Sequence, residues 1–381
     1  MKTILYFLIP LLFIACKNDQ KNQVVDSANG KILPLKYAKG FTVEDFGTYK
    51  ILEIKNPWPK AEKSYRYVLL NTDYDVDFWN AQKNQFDGIF EIPIKKIVVT
   101  STTHIPALEL LNVEETLIGF PGVDYISSEK TRHRIENGLV RELGKNEGIN
   151  TEVLLELKPN LVVGFGVDGN NRSFETIKKS GIPIIFNGDW VEESPLAKAE
   201  WIKFFGVLFH KEKQADSIFN NIENTYLEAK ALAKSAENQP TILSGAMHND
   251  IWYLPNGNSI EAQLLRDANA HYLWHDSKGT GSLSLNFETV FSKAKNADIW
   301  LSPSNYPNKE ALKNGNQHHA MFKAFQNNTI YSSISTAGTS GGILYFELGT
   351  TRPDLVLKDL IKICHPELLK NHDLYFFKSL N

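Results

Sequence analysis

Residues 150–163, which read NTEVLLELKPNLVV, contain an Asn-x-Glu triplet, a short amphipathic helix pattern and then a run of apolar strand formers. Residues 286–301, which read NFETVFSKAKNADIWL, repeat this plan more than a hundred residues later. In each copy the asparagine is a good N-cap, and the glutamate falls in the first helical turn, where the helix dipole favours an anion. The repeat predicts two similar α/β lobes, each presenting one carboxylate, Glu152 in the first and Glu288 in the second.

The length and composition are those of an ordinary globular protein with more than one core. The chain has 381 residues, for which two lobes are the default expectation. Hydrophobic residues make up 42% and charged residues 22%, and the formal net charge is −3. This balance provides no basic surface for nucleic acid, so we expect no nucleic-acid partner.

The N-terminus carries a targeting signal. Lys2 is followed by an apolar run over residues 4–15 that is too short to span a bilayer comfortably, which predicts a signal peptide over residues 1–15. The ending FIAC at residues 13–16 resembles a bacterial lipobox, which implies cleavage before Cys16 and attachment of diacylglycerol to its thiol. An ordinary signal peptide or membrane anchor with an incidental cysteine is the alternative.

The polar residues 16–30 predict a flexible tether behind that cysteine. The mature chain would then face the periplasm and stay attached to a bacterial membrane, inner or outer, through its N-terminal lipid. The only other cysteine is Cys364. If Cys16 is acylated, no intramolecular disulfide bond can form.

Four regions follow the tether. Residues 31–92 cluster β-formers and predict a small antiparallel β-appendage. Residues 93–194 alternate strand and helix patterns, which predicts a mostly parallel sheet covered by helices. Residues 195–237 are helical, and within them residues 211–236 predict one interlobe helix of roughly 39 Å. Residues 238–381 form the second lobe. The predicted class is α/β, with two Rossmann-like lobes joined by one long backbone helix.

Several landmarks occur in a specific order between about residues 94 and 369. They are the strand and helix patterns of residues 96–111, LIG at 117–119, the two repeated units, the single interlobe helix, RPDLVL at 352–357 and HPE at 365–367. Together they resemble the class III periplasmic binding proteins that serve ABC importers of vitamin B12, ferric siderophores and haem. The family usually has Asp where this chain has Asn160, and either side chain suits that turn.

The resemblance implies a monomeric, non-enzymatic receptor that hands a small-molecule chelate to a dimeric ABC permease. In the family one glutamate on each lobe pairs with permease arginines, and by position these are Glu152 and Glu288. Two exposed carboxylates a fixed distance apart suit a two-fold pair of basic pockets. The alternative is that both only cap their helices electrostatically. Glu156 and Glu347 are interpreted as solvated, and the helical connector predicts limited lobe closure.

The resemblance also implies a ligand groove between the lobes, at the carboxyl ends of the strands. Large, flat or chelate-bearing ligands need aromatic walls and a few polar or cationic groups. The candidate ligand-binding residues are Tyr125, Phe165, Trp190, Trp252, Tyr253, Tyr345, Phe346 and Arg134. For any single aromatic residue, plain core packing is the alternative.

The charge of the ligand bears on which basic residues take part. An anionic ferric siderophore would use guanidinium groups, and the available arginines are Arg132, Arg134, Arg141 and Arg172. Arg352 is interpreted instead as a tie within the final helix. A haem ligand would need a Tyr or His axial ligand, and the spacing of the histidines singles out none.

Two other functions are weighed against the receptor. Direct binding of zinc or manganese would need three or four inward His and carboxylate ligands, but His318 and His319 are the only adjacent pair among ten histidines. A hydrolase would need a nucleophile or metal motif, and the glycine-rich stretch around Ser340 is interpreted as a cleft loop. We therefore expect no catalytic residues, no resident metal and no cofactor, the ligand being an iron chelate, haem or a corrinoid.

Overall fold

The computed structural model describes residues 30–72, 74–168, 172–303, 305–338 and 340–381, with Ser335 described by its backbone only. The predicted signal peptide, the predicted lipidation site Cys16 and the tether up to residue 29 lie outside these ranges. Within the ranges, there is no helix that combines the length and the apolar content needed to cross a membrane.

The first structural unit is a five-stranded sheet whose strands follow their chain order. Its elements are β1 (Lys31–Ile32), β2 (Phe41–Asp45), β3 (Tyr49–Ile54), β4 (Tyr65–Leu70), α1 (Val76–Gln82) and β5 (Gly88–Glu91). Strands β1 to β4 are antiparallel, as predicted. Strand β5 is parallel to β4 because helix α1 carries the chain back before β5 begins. The sheet is therefore mixed, which corrects the purely antiparallel prediction.

This sheet shares a core with the first lobe. Many of its buried residues, including Phe41 and Leu52, belong to the same hydrophobic cluster as the buried strands of that lobe, whereas Val68, Leu70 and Trp79 form a small separate cluster. The ring of Phe41 lies 4.7 Å from the ring of Trp201, which precedes a connector helix. The backbone N–H of Tyr37 donates to the carboxylate of the fully buried Glu200 at 2.7 Å. Residues 31–92 are thus an integral layer of the first lobe rather than a detached appendage.

The first lobe is built on a five-stranded parallel sheet with the order β12-β11-β6-β7-β8. Its elements are β6 (Ile97–Val99), α2 (Ile105–Leu110), β7 (Leu117–Phe120), α3 (Glu129–Glu136), β8 (Arg141–Glu142), β9 (Gly144–Lys145), β10 (Gly148–Ile149), α4 (Thr151–Leu157), β11 (Leu161–Gly164), α5 (Arg172–Lys179) and β12 (Ile184–Phe186). Strands β6 and β11 are fully buried. Burial on both faces explains why these strands are continuous apolar runs.

Three helices connect the lobes, namely α6 (Pro195–Glu200), α7 (Ile202–Leu208) and α8 (Glu212–Ala233). Helix α8 has 22 residues and therefore extends about 33 Å. Phe219 and Ile222 on this helix lie in the core of the first lobe, whereas Tyr226 and Ala229 lie in the core of the second. The interlobe helix is therefore present, and it is slightly shorter at both ends than predicted.

The second lobe repeats the plan with the sheet order β16-β13-β18-β19-β20, in which only β20 is antiparallel to its neighbour. A separate antiparallel ribbon has the order β14-β15-β17. The elements are β13 (Thr241–Ser244), β14 (Ala246–His248), β15 (Ile251–Pro255), α9 (Ile260–Asp267), β16 (His271–Tyr272), β17 (Ser282–Asn286), α10 (Phe287–Ala294), β18 (Ile299–Leu301), α11 (Lys309–Gly315), α12 (Lys323–Gln326), β19 (Ile330–Ser332), α13 (Leu344–Leu348), α14 (Pro353–Cys364) and β20 (Lys378–Ser379). The predicted α/β class with two lobes is confirmed.

Candidate functional site

A cleft between the lobes lies at the carboxyl ends of both parallel sheets, and it contains two cavities that share one side chain, Phe346. The first compartment, of about 940 Å³, is lined by the loops after β6, β7 and β11 and by residues 341–343 of the second lobe. The second compartment, of about 500 Å³, is lined mainly by the second lobe, including Ser244 after β13 and Ser302 after β18. Open α/β sheets place ligand sites at these strand ends.

Aromatic side chains from both lobes line the first compartment. Tyr125 is 71% exposed and Phe346 is 57% exposed, although both are large apolar side chains. Phe165 lines the same compartment, and its backbone N–H donates to Thr100 Oγ1 at 2.8 Å. Trp190 lines neither compartment but packs edge-on against Phe165, with ring centroids 5.8 Å apart. The structure therefore brings together four aromatic residues that the sequence singled out.

The second compartment combines tyrosines with two ionisable groups. Tyr253 and Tyr345 line it, in agreement with the sequence prediction, together with Lys198 and Glu261. The carboxylate of Glu261 accepts a hydrogen bond from Ser244 Oγ, and burial raises the pKa of Glu261. Burial lowers the pKa of Lys198. Sequence reasoning missed both residues, because each is an ordinary charged position on a helix and only the fold turns it toward the cleft.

Asp189 provides a negative charge behind the cleft wall, close to Lys198. Its side chain is buried, and Thr103 Oγ1 donates to it at 3.3 Å. Burial raises the pKa of Asp189 to about 6, although the attraction of the Lys198 ammonium acts in the opposite direction. The same attraction favours the charged form of Lys198. Each group thus favours the charged form of the other.

Besides Trp190, two predicted ligand-binding residues lie outside both compartments. Trp252 is fully buried, packs on Trp300 with ring centroids 5.5 Å apart, and donates from Nε1 to Ser244 O at 3.0 Å. Alternation along strand β15 directs it inward and its neighbour Tyr253 outward. Arg134 donates to the carbonyl oxygens of Glu115 and Leu117 at 2.9 and 3.2 Å. These oxygens lie at the amino end of β7, on the edge of the sheet opposite the cleft. The predictions for Trp252 and Arg134 were wrong.

The other arginines weighed as partners of an anionic ligand also lie outside the two compartments. Arg132 donates to Val123 O at 2.7 Å, and Arg141 lies 3.8 Å from Glu156 on the surface. Arg352 forms a bidentate pair with Asp354, as its interpretation as a helix tie predicted. Arg172 is exposed at the start of α5. In the part of the chain that the structure describes, no arginine lines either compartment.

Glu152 and Glu288 occupy equivalent positions in the two lobes. Each is exposed in the first turn of a helix, α4 and α10 respectively, whose N-cap asparagine accepts a backbone hydrogen bond. Each helix leads into a strand of its sheet, β11 or β18, and so begins at the carboxyl edge of that sheet. Both carboxylates are therefore expected near the rim of the cleft. Neither forms an ion pair among the described residues.

A contact between the lobes closes the cleft on one side. The carboxylate of Glu347 in the second lobe accepts hydrogen bonds from the backbone N–H groups of Ser127 and Ser128 in the first, at 2.5 and 3.0 Å. Beside it Ser340 Oγ donates to Ile126 O at 3.2 Å. A Cβ atom on Gly342 would lie 2.2 Å from Tyr125 O, so only glycine allows this approach. We call the contact of residues 340–347 with residues 125–128 the interlobe latch.

The latch corrects the prediction that Glu347 is solvated, because this residue is only 2% exposed. Burial raises its pKa to about 7, the two backbone hydrogen bonds act in the opposite direction, and the nearby Glu109 raises it further. Ser340, which donates to a backbone carbonyl within this contact, is part of the latch. Glu156, by contrast, is exposed as predicted.

Of the two adjacent histidines in the second lobe, His319 lies in the core and His318 is exposed. His319 is fully buried, its Nδ1 lies 2.8 Å from Leu312 O, and its ring packs against Trp252 and Trp300. The ring of His318 packs against that of Phe287 in a tilted arrangement, with ring centroids 4.9 Å apart. Across the described ranges, no group of three or more His, Cys, Asp or Glu side chains is arranged to hold a metal ion.

Comparison with known proteins defines the class. A family model described as periplasmic binding protein matches residues 97–339, and the chain belongs to this family. Proteins of this family are binding proteins rather than enzymes, and they deliver small-molecule ligands to ABC transporters. Among curated relatives, an uncharacterized lipoprotein of Methanocaldococcus jannaschii is 27% identical over 368 residues, which cover 91% of this chain and 85% of the relative.

Solved structures agree on the fold. A periplasmic haem-binding protein from Pseudomonas aeruginosa superposes with a TM-score of 0.58 at 13% identity and covers 76% of this chain and 98% of its own. A possible iron-binding periplasmic protein from Staphylococcus epidermidis gives a TM-score of 0.56 at 17% identity, covering 72% and 99%. At these identities the likeness establishes the two-lobed class III fold. The family match starts after β5, so the N-terminal sheet lies outside it.

Proposed function

We propose that the chain is a lipid-anchored receptor that binds an iron chelate, haem or a corrinoid in the interlobe cleft and delivers it to an ABC permease. The observation that carries this proposal is the first compartment, where exposed aromatic rings of both lobes face a cavity of about 940 Å³. Large exposed apolar rings that converge on one cavity are typical of a binding site for a bulky, partly apolar ligand.

Delivery requires a docking surface, and Glu152 with Glu288 supplies it. Two matched carboxylates at the first turns of equivalent helices suit a permease dimer that offers one basic pocket on each side. Helix α8 is buried in both lobes and resists bending, so ligand binding involves little lobe closure. Release then follows when the permease, holding both carboxylates, forces the lobes apart. The receptor acts as a monomer.

The direct test is a titration of the purified mature chain, followed by tryptophan fluorescence, with vitamin B12, haemin and several ferric siderophores. Saturable quenching of the fluorescence by at least one of these ligands is expected, because Trp190 packs against Phe165, which lines the first compartment. Binding of zinc or manganese ions alone, with no response to any chelate, would favour the direct metal receptor instead.

The exposed aromatic residues provide a prediction about affinity. Tyr125→Ala and Phe346→Ala are each expected to weaken ligand binding about tenfold, the loss of one aromatic contact of roughly 1.5 kcal/mol. Both side chains are more than half exposed, so unfolding temperatures should stay within a few degrees of the wild type. Calorimetric titration measures the first effect and a thermal melt the second. Leu139→Ala, a similarly exposed apolar side chain outside both compartments, is the control and should bind normally.

The lipid anchor provides a second prediction. Cells that express the full chain with labelled palmitate are expected to incorporate label into the wild type and into Cys364→Ala, but not into Cys16→Ser. Cys364 is buried in the second lobe and cannot accept the lipid while the protein is folded. Label that persists in Cys16→Ser would show that Cys16 is not the acylated residue.

A further inference from the structure

The charges that line the cleft are mostly negative. Among the described residues of the two compartments there are four carboxylates and two ammonium groups, and neither arginine nor histidine is present. The carboxylates are those of Asp124, Glu142, Glu147 and Glu261, and the ammonium groups are those of Lys145 and Lys198. A ligand with negative charge would therefore enter a cavity that already has an excess of negative charge.

The cation in the second compartment lies near two buried acids of the protein. The charges of Asp189 and Glu192 both act on the Lys198 ammonium and favour its charged form. Both carboxylates belong to residues that are less than a tenth exposed, so solvent screens this attraction only weakly. Even with Lys198 counted as a full positive charge, carboxylates outnumber ammonium groups among the described lining residues of the two compartments.

The carboxylate with the best-defined position lies in the first compartment. Glu142 accepts hydrogen bonds from the backbone N–H groups of Gly122, Val123 and Gly144 at 2.8, 2.9 and 2.6 Å. These three bonds hold the carboxylate beside the loop that carries Tyr125. A negative charge fixed at the wall, together with exposed aromatic faces, favours a cationic or neutral ligand through both charge attraction and cation–π contact.

We propose that the cleft selects metal chelates with zero or positive net charge over polyanionic ones. This inference rests on the proposed receptor function and names its ligand class. Neutral and cationic complexes, of the hydroxamate or corrinoid type, fit the charge of the two compartments. Tris-catecholate complexes and porphyrins with free carboxylates would need arginine partners, and the arginines of the described chain are bonded elsewhere or lie outside both compartments.

The test compares four probes by calorimetry at low ionic strength: ferrioxamine B, which is cationic, cyanocobalamin, which is neutral, haemin, and a ferric tris-catecholate. Ferrioxamine B or cyanocobalamin is expected to bind tightest, with an affinity at least tenfold higher than that of haemin or the tris-catecholate. Added salt should reduce this ratio of affinities. If an anionic probe binds tightest, the charge inference is wrong although the receptor function stands. If none of the four binds, the receptor function itself is contradicted.

Two variants separate charge from shape. The double variant Glu147→Gln with Glu261→Gln removes two cleft carboxylates almost without changing the side-chain volume. It is expected to lower at least threefold the ratio of the affinity for the tightest-binding cationic or neutral probe to the affinity for the tightest-binding anionic probe. The control is Glu156→Gln, which removes an exposed carboxylate of the first lobe that lies outside both compartments. It should leave the ratio of affinities unchanged. An unchanged ratio in the double variant would overturn the assignment of selectivity to these charges.

Discussion

Replacing Glu152 and Glu288 together with alanine is expected to lower transport at least a hundredfold while ligand affinity stays at the wild-type value. Each carboxylate is exposed at the start of its helix and has no ion-pair partner in the described chain. Each can therefore form an ion pair with a basic group of another protein. Charge pairs buried in an interface typically contribute about 2–5 kcal/mol each when one partner is removed, and about 2.7 kcal/mol is already a hundredfold. Transport is measured as uptake of labelled ligand in cells, and affinity by calorimetry.

The control for this prediction is a second double variant, Glu156→Ala with Glu237→Ala, which removes the same net charge from two other exposed positions. It should transport normally, because general steering by net charge contributes much less than two specific contacts. Loss of ligand binding in the Glu152 and Glu288 variant would contradict the docking role and would favour a role for these residues in the fold or the cleft.

Replacing Glu347 with alanine is expected to destabilise the protein by about 3 kcal/mol. The change leaves the buried N–H groups of Ser127 and Ser128 without their acceptor, and each unsatisfied group costs roughly 1–3 kcal/mol. Glu347→Gln keeps an oxygen acceptor in place and should cost much less. Denaturant unfolding at one pH measures both. Equal stability of the alanine variant and the wild type would show that water replaces the carboxylate without loss.

The same residue predicts a dependence of stability on pH. Because burial raises the pKa of Glu347 to about 7, the folded protein retains a proton that the unfolded chain releases near its ordinary pKa of about 4.3. The contribution of Glu347 to stability is therefore greatest below pH 4.3, falls as the pH rises toward 7, and is constant above it. Relative to Glu347→Gln, the wild type should lose on the order of 3 kcal/mol between pH 4.3 and 7. A flat difference between the two proteins would contradict the raised pKa.

The sequence predicted those features that local patterns encode. The Asn-x-Glu repeat located both exposed glutamates, since capping and first-turn position depend only on neighbouring residues. The apolar runs of β6 and β11 predicted buried parallel strands for the same reason. Tyr125 and Phe346 were predicted to face the groove from the family resemblance, with Phe346 in a loop after a strand. Phe346 instead lies on helix α13, and the exposure of both rings depends on the shape of the cleft.

Features that depend on distant parts of the chain could not be predicted in this way. Glu347 bonds to residues about 220 positions earlier, and nothing near it in the sequence distinguishes it from a solvated glutamate. Trp252 and Tyr253 are adjacent, and only the placement of the ribbon decides which of them faces the cleft. The N-terminal sheet was predicted as separate because its contact with Trp201 joins segments far apart in sequence.

Under the proposed function, the merger of the N-terminal sheet with the first lobe affects how the receptor would reach a permease. About fifteen residues separate Cys16 from β1, and a chain of that length reaches at most about 50 Å. With lipid on Cys16, the point of attachment is the rigid core of the first lobe, so that lobe stays within a shallow layer above the bilayer. Diffusion toward the transporter then takes place in two dimensions at a raised local concentration, and even a weak docking contact is sampled often.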